Sequence, residues 1–272
     1  MTIRPPVVAG QFYSETASGL LKQLKQLIDP QAKKEKIIGA IVPHAGYIYS
    51  GRVAGAVFSA MAAADTFIIL GPNHTGLGKQ FSLMSSGMWK TPLGDVEIDE
   101  ELSKALLKNS QILEEDDLAH RREHSLEVEL PFLQYLFSRT GEKIKIVPIV
   151  IGGGNLSDYQ KLGKELYQAV GQAKKKIVAL ASSDMTHYEA QEAAESKDKK
   201  ALDKILNLDE KGLLDIIDEY NITMCGSAPV AVLLSYAKEM RAHTARLIKY
   251  ETSAATSGDS SSVVGYAGVI IA

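Results

Sequence analysis

The sequence predicts an α/β fold, a single α/β/α sandwich domain over residues 1–272 with a mixed central sheet. Three observations carry this. Short β-branched apolar runs alternate with stretches of helical periodicity, the order that lays helices over a sheet. Two late alternating runs, Ala245–Thr252 and Val263–Ile271, read as strands that pair with each other, so the sheet is mixed. No internal repeat and no low-complexity linker divides the chain, whose length is within reach of one large α/β domain.

The elements follow in order. Pro5-Pro6 and Gly10 mark an extended N-terminal arm. Residues Ala17–Ile28 carry Leu20, Leu21, Leu24, Leu27 and Ile28 as a helical apolar stripe, which Asp29-Pro30 stops. Ile37–Val42 is the first core strand, Gly51–Met61 a small-residue helix suited to close packing, and Thr66–Leu70 the second core strand. Phe81–Ile98 alternates weakly around the turn Thr91-Pro92-Leu93-Gly94-Asp95 and reads as a hairpin or loop excursion. Asp99–Lys108 is helical with Asp99 as N-cap, and Ser125–Phe137 is an amphipathic helix that Pro131 delays or kinks. Ile144–Ile151 is a strand. The Gly152-Gly153-Gly154 that follows reads as a turn, because it lacks the Walker lysine and the Rossmann spacing. Ser157–Val170 is a helix capped by Ser157, Ile177–Ala181 a strand, and Glu189–Leu206 and Glu210–Glu219 are helices. Ser227–Met240 is a helix with Pro229 in its first turn, where proline is tolerated.

The bulk numbers exclude several function classes. A net charge of −3 and a pI of about 6.1 give no basic surface for nucleic acid or an anionic membrane. Lys174-Lys175-Lys176 is a short run and reads as solvated surface. No apolar stretch approaches the roughly 20 residues of a membrane span, and the N-terminus has no apolar signal-peptide core. The one cysteine, Cys225, permits no intramolecular disulfide and fits a reducing, cytoplasmic setting.

Three of the six histidines follow predicted strands. Pro43-His44 comes after IIGAIV, His74 after TFIILGPN, and His187 after IVALASSDMT. In α/β sheets the ligand crevice lies at the carboxyl ends of the strands, so three imidazoles delivered there predict a metal or acid–base site. Asp184, three residues before His187, suits general acid–base work or an outer contact to an imidazole; the bland alternative is a helix cap. Cys225 precedes a helix, whose N-terminus lowers a thiol pKa and favours the metal-binding thiolate. In Arg121-Arg122-Glu123-His124-Ser125-Leu126-Glu127, His124 is a candidate pocket residue, whereas Ser125, Glu127 and Glu129 read as helix-start chemistry. His120 and His243 read as surface residues.

Taken in order, PHAGYIYSG, GPNHTG, EHSLEVELPFL, SSDMTHY and MCGSAP resemble the Memo family, also labelled AmmeMemoRadiSam system protein B; the likeness spans nearly the whole chain. The resemblance implies a fold similar to the class III extradiol (LigB-type) dioxygenases and a single transition metal on His44, His74 and Cys225. His187 would then act as acid–base catalyst with Asp184 orienting it. Thiolate in place of the dioxygenases' carboxylate softens the site, which suits copper or zinc as well as iron. The family label implies a radical-SAM protein and an AMMECR1-domain protein as partners. Two readings therefore compete. One is a redox or oxygen-using enzyme acting on a small molecule. The other is a non-catalytic peptide- or protein-binding module whose crevice uses Tyr47, Tyr49, Tyr188 and the histidines. Metal-free hydrolysis is disfavoured, because no nucleophile–base pair stands out.

Overall fold

Four short apolar runs form the middle of the sheet as parallel strands, in the spatial order Lys145–Ile151, Thr66–Pro72, Ile177–Ser182, Gly39–Val42. Strands covered on both faces read as continuous apolar runs, and these are buried along almost their whole length. Register places Ile68 beside Val147 on one side and Ala179 on the other, and Ile41 beside Ala181. The computed structural model describes residues 2–137 and 143–272.

Antiparallel strands complete a mixed sheet. Val263–Ile271 runs antiparallel to Gly39–Val42 and also carries Ala245–Thr252, the pairing expected from their alternation. At the other side, Met88–Thr91 and Gly94–Ile98 form the expected hairpin, and Ile3–Arg4 from the N-terminal arm adds a short parallel pairing to it.

Period-2 alternation sorts the strand residues into two apolar layers. Ile41, Ile68, Leu70, Val147 and Ile149 face the helices Leu156–Gln172 and Ser227–Glu239. Ala40, Val42, Phe67, Ile69 and Val150 face Ala17–Leu27, Tyr47–Ala60 and Leu130–Phe137. Helices thus cover both faces of the sheet. Among the described residues no helix is long and apolar enough to cross a membrane.

Several boundaries differ from expectation for local reasons. The second helix starts at Tyr47, not Gly51, and Ser50 Oγ secures its first turn by donating to the Ala45 carbonyl at 2.8 Å. The segment from Ser125 splits into a single 3-10 turn, Glu127–Glu129, and an α-helix, Leu130–Phe137, with Pro131 near the start. Pro131 is tolerated there because the first N–H groups of a helix have no intrahelical partner. Asn155 rather than Ser157 caps the next helix, in a capping box with Asp158. His187–Glu189 pairs with Val263 and Val264, which delays the following helix to Gln191–Leu206. Lys175 is not a free surface lysine: its ammonium donates to both carboxylate oxygens of Asp99 at 2.9 and 2.8 Å.

Candidate functional site

The site follows from the sheet. Gly39–Val42, Ile177–Ser182 and Thr66–Pro72 are parallel neighbours, so their carboxyl ends lie side by side at one edge. His44, Asp184 and His74 each stand two residues beyond those ends. They line a cavity of about 600 Å³ together with His124, His187 and Cys225. Ring centroids of His44 and His74 are 5.1 Å apart, those of His74 and His124 4.7 Å, and those of His44 and His124 5.5 Å. One ring nitrogen from each of these three lies within 4.8 Å of the other two, close enough for a shared metal ion.

Three of these four imidazoles have a hydrogen-bonded backing partner. His44 Nδ1 lies 2.9 Å from Ser182 Oγ. His74 Nδ1 lies 2.9 Å from Glu123 Oε1, while Glu123 Oε2 accepts the His74 backbone N–H at 2.7 Å. His187 Nδ1 donates to the Thr223 carbonyl at 2.9 Å. In all three rings Nδ1 is engaged and Nε2 is the nitrogen left for other work. Cys225 Sγ is 3.3 Å from His44 Nε2 and accepts the Asp184 backbone N–H at 3.3 Å.

Electrostatics separates the groups. Burial drives His44 well below the usual histidine range, and the neighbouring imidazoles His74, His124 and His187 push the same way. Burial also lowers His124. For His74, burial would do the same, but the hydrogen bond and charge of Glu123 outweigh it and raise the pKa. Glu123 shows the reciprocal effect: despite its burial, the contacts with His74 and the Ser125 N–H hold it down at about 2. Burial pushes Asp184 up to about 6.

Four expectations need correction. Asp184 does not bond an imidazole; its carboxylate accepts the His44 backbone N–H at 2.8 Å, and it caps no helix, since the next one begins after Ala190. The Cys225 thiol is raised, not lowered: burial comes first, then the Asp184 carboxylate. The nearby Gly226 N–H donates to Ser183 Oγ at 3.0 Å, so that donor at the helix start is not spent on the sulfur. Tyr47 does not line the cavity. Its ring packs against Tyr13 and Phe132, and its hydroxyl donates to the Val128 carbonyl at 2.7 Å. Tyr188 does line the cavity, 79% exposed, with a left-handed φ of 59°. Tyr49 and His124 line it too. His120 is fully buried beside Trp89, and burial pulls its pKa down to about 4; His243 is exposed as expected.

The comparison with known proteins decides the family: the model for Memo-like proteins matches residues 4–270. The chain belongs to the Memo-like family. It is 41% identical to a MEMO1 family protein of Methanosarcina mazei over 272 residues, covering all of both chains. It is 44% identical to a MEMO1 family protein of Ignicoccus hospitalis, covering 99% of this chain and 98% of that one. Among solved structures, an uncharacterized protein of Escherichia coli K12, JW3007, is similar in fold at a TM-score of 0.56 and 11% identity, covering 79% of this chain and 89% of that one.

Sequence reading missed Glu123 as the carboxylate behind His74, and it missed the partners of Glu127 and Glu129. Glu127 is fully buried and gathers the Arg4 guanidinium, the Val7 and Val8 N–H groups, and the Tyr13 hydroxyl at 2.6 Å. The signal was present: three glutamates sit among apolar residues in EHSLEVELPFL, and glutamates there need partners once buried.

Proposed function

We propose that this Memo-like protein is a metal-dependent oxidoreductase-type enzyme with one transition metal on His44, His74 and Cys225, with His124 at the same mouth. The observation that carries the reading is the donor arrangement. His44 and His74 each have Nδ1 tied back, and the Nε2 of His44 lies 3.3 Å from Cys225 Sγ. Nitrogen and sulfur on one tetrahedral ion stand roughly 3.5 Å apart, given bonds of about 2.0–2.1 and 2.3 Å, so His44 and Cys225 fit such a group as a pair, while the three ring nitrogens that lie within 4.8 Å of one another are those of His44, His74 and His124. The backing of His74 by Glu123 is the outer contact that metal-bound histidines commonly have. Imidazole with thiolate suits copper, iron or zinc. Such an ion supplies Lewis acidity and, as iron or copper, one-electron exchange.

The chain supplies the rest. His187, its Nδ1–H fixed by Thr223, keeps Nε2 as a base for proton movement at the cavity. Asp184 holds the backbone of His44 in place. Phe12, Tyr49, Tyr188 and Tyr266 give an organic substrate flat apolar surface, and no lysine or arginine lines the cavity among the described residues. A radical-SAM protein and an AMMECR1-domain protein are the partners this proposal adopts from the family label.

Metal analysis of protein purified anaerobically without chelator tests the reading. Stoichiometric iron or copper in the wild type, lost in His44→Ala and His74→Ala and reduced in Cys225→Ala, supports it. Metal-free protein in every preparation contradicts it. A second reading, a peptide-binding crevice, is favoured by the exposed rim of Ile48 (69%), Tyr49 (40%) and Tyr188 (79%). Metal-free protein that retains peptide binding would establish it instead.

A further inference from the structure

Glu123, Glu127 and Glu129 lie on one short segment, and all three are fully buried. Their partners differ. Glu123 faces His74, and Glu127 faces Arg4. For Glu129 no cationic side chain within ion-pair distance is seen among the described residues. Its Oε1 lies 3.0 Å from Ser182 Oγ, and its Oε2 has no hydrogen-bond partner. An ionised carboxylate in that setting would be a buried, unpaired charge, which proteins avoid by neutralising the group.

Hydrogen counting at Ser182 accommodates a neutral Glu129. Ser182 Oγ has one hydrogen and two lone pairs. It has three polar neighbours: the Ser125 carbonyl at 2.7 Å, His44 Nδ1 at 2.9 Å, and Glu129 Oε1 at 3.0 Å. The carbonyl can only accept and is the nearest, so with Glu129 uncharged it takes the serine hydrogen. Both remaining neighbours must then donate into the serine lone pairs. A glutamate oxygen donates only as a carboxylic acid, and Nδ1 donates only when it carries the ring proton.

We propose that Glu129 stands in the fold as a neutral carboxylic acid and, through Ser182, fixes His44 in its Nδ1–H tautomer. The unpartnered Oε2 is then the acid's carbonyl oxygen, cheaper to leave bare than a carboxylate oxygen. Burial raises Glu129 well above the usual range in the same sense; the Ser182 hydrogen bond lowers it and the nearby Asp184 carboxylate raises it, and burial prevails. Glu129 is a positioning residue: it presents Nε2 of His44, unprotonated, toward Cys225. Its value to a bound metal rests on the proposed metal centre, but the protonation state itself does not.

Both parts are read on metal-stripped protein, so loss of the metal reading leaves the test intact. At mildly alkaline pH, where ordinary carboxyls are ionised, the infrared spectrum of the wild type should show a carboxylic-acid C=O band that Glu129→Gln removes. Nitrogen NMR of labelled histidine should show His44 as the Nδ1–H tautomer in the wild type and in Glu129→Gln, whose amide N–H can donate as the acid does. Ser182→Ala, which removes the shared acceptor, should leave the tautomers mixed and shift the infrared band. Should Glu129→Gln fail to fold, the shift in Ser182→Ala assigns the band. Absence of a carboxylic-acid band belonging to Glu129, or an Nε2–H His44 in the wild type, would overturn the proposal.

Discussion

Glu123 holds His74 by both the ring and the backbone, and it takes the Ser125 N–H at 2.9 Å as well. One carboxylate thus sets the ring's tautomer and the position of its loop. Glu123→Gln keeps the shape but removes the charge, so zinc or copper affinity should fall on the order of 10–100-fold, the usual cost of losing such an outer contact. Competition titration with a chelator checks this; an unchanged affinity would mean that His74 does not bind the metal. His187 is expected to behave differently. His187→Ala should leave metal affinity unchanged, because its tautomer is fixed by Thr223 and not by the histidine cluster; it should suppress turnover of any substrate found.

At the scale of elements, the helix Tyr47–Ala60 approaches its neighbour through small residues. A Cβ at Gly55 would fall 2.2 Å from the Leu27 carbonyl oxygen and 2.8 Å from its carbon, both backbone atoms. Gly55→Ala should therefore destabilise the protein by about 1–3 kcal/mol, as overpacking does, despite alanine's higher helix propensity; denaturant unfolding measures it. Asp99 joins the helix Glu100–Asn109 to the sheet. It caps Leu102, accepts from Thr66 Oγ1 at 2.6 Å and pairs with Lys175. Burial pushes its pKa up, but these hydrogen bonds and the lysine charge prevail and hold it below the usual aspartate range. A carboxylate depressed in the folded state adds stability above its unfolded pKa and loses it as pH falls through the folded value. The stability difference between wild type and Asp99→Asn, about 1–2 kcal/mol from the charge-assisted bonds at neutral pH, should shrink on acidification below the ordinary aspartate range. A difference that stays constant into strong acid would contradict the assignment.

Across the whole molecule, the arm and the site are coupled through Arg4. It donates to the His120 carbonyl at 3.1 Å and the Glu123 carbonyl at 2.5 Å, pairs with Glu127, and lies 4.2 Å over the Trp89 ring. Arg4→Ala leaves Glu127 as an uncompensated buried charge and should cost about 3–5 kcal/mol, the range for broken buried pairs. Chemical denaturation reads this, and a loss under 1 kcal/mol would show that the arm contributes little. These long-range partners explain what the sequence could and could not reveal. The strands after which His44, His74 and His187 stand were legible because each is a short apolar run of its own. Their convergence followed from the parallel order. Local patterning carries no record of which buried glutamate meets which partner more than 100 residues away, as with Arg4 and Glu127. Nor does it show that the Tyr47 ring turns into the core, that His120 is buried, or that Cys225 sits in a setting that raises its thiol.

The central claim is that one metal joins Nε2 of His44 and His74 to the Cys225 sulfur. X-ray absorption spectroscopy on anaerobically purified, metal-loaded protein tests it most directly. The account predicts nitrogen scatterers at about 2.0–2.1 Å and one sulfur scatterer at about 2.3 Å, with the sulfur absent in Cys225→Ala. A metal with nitrogen and oxygen scatterers only, unchanged by Cys225→Ala, would contradict it.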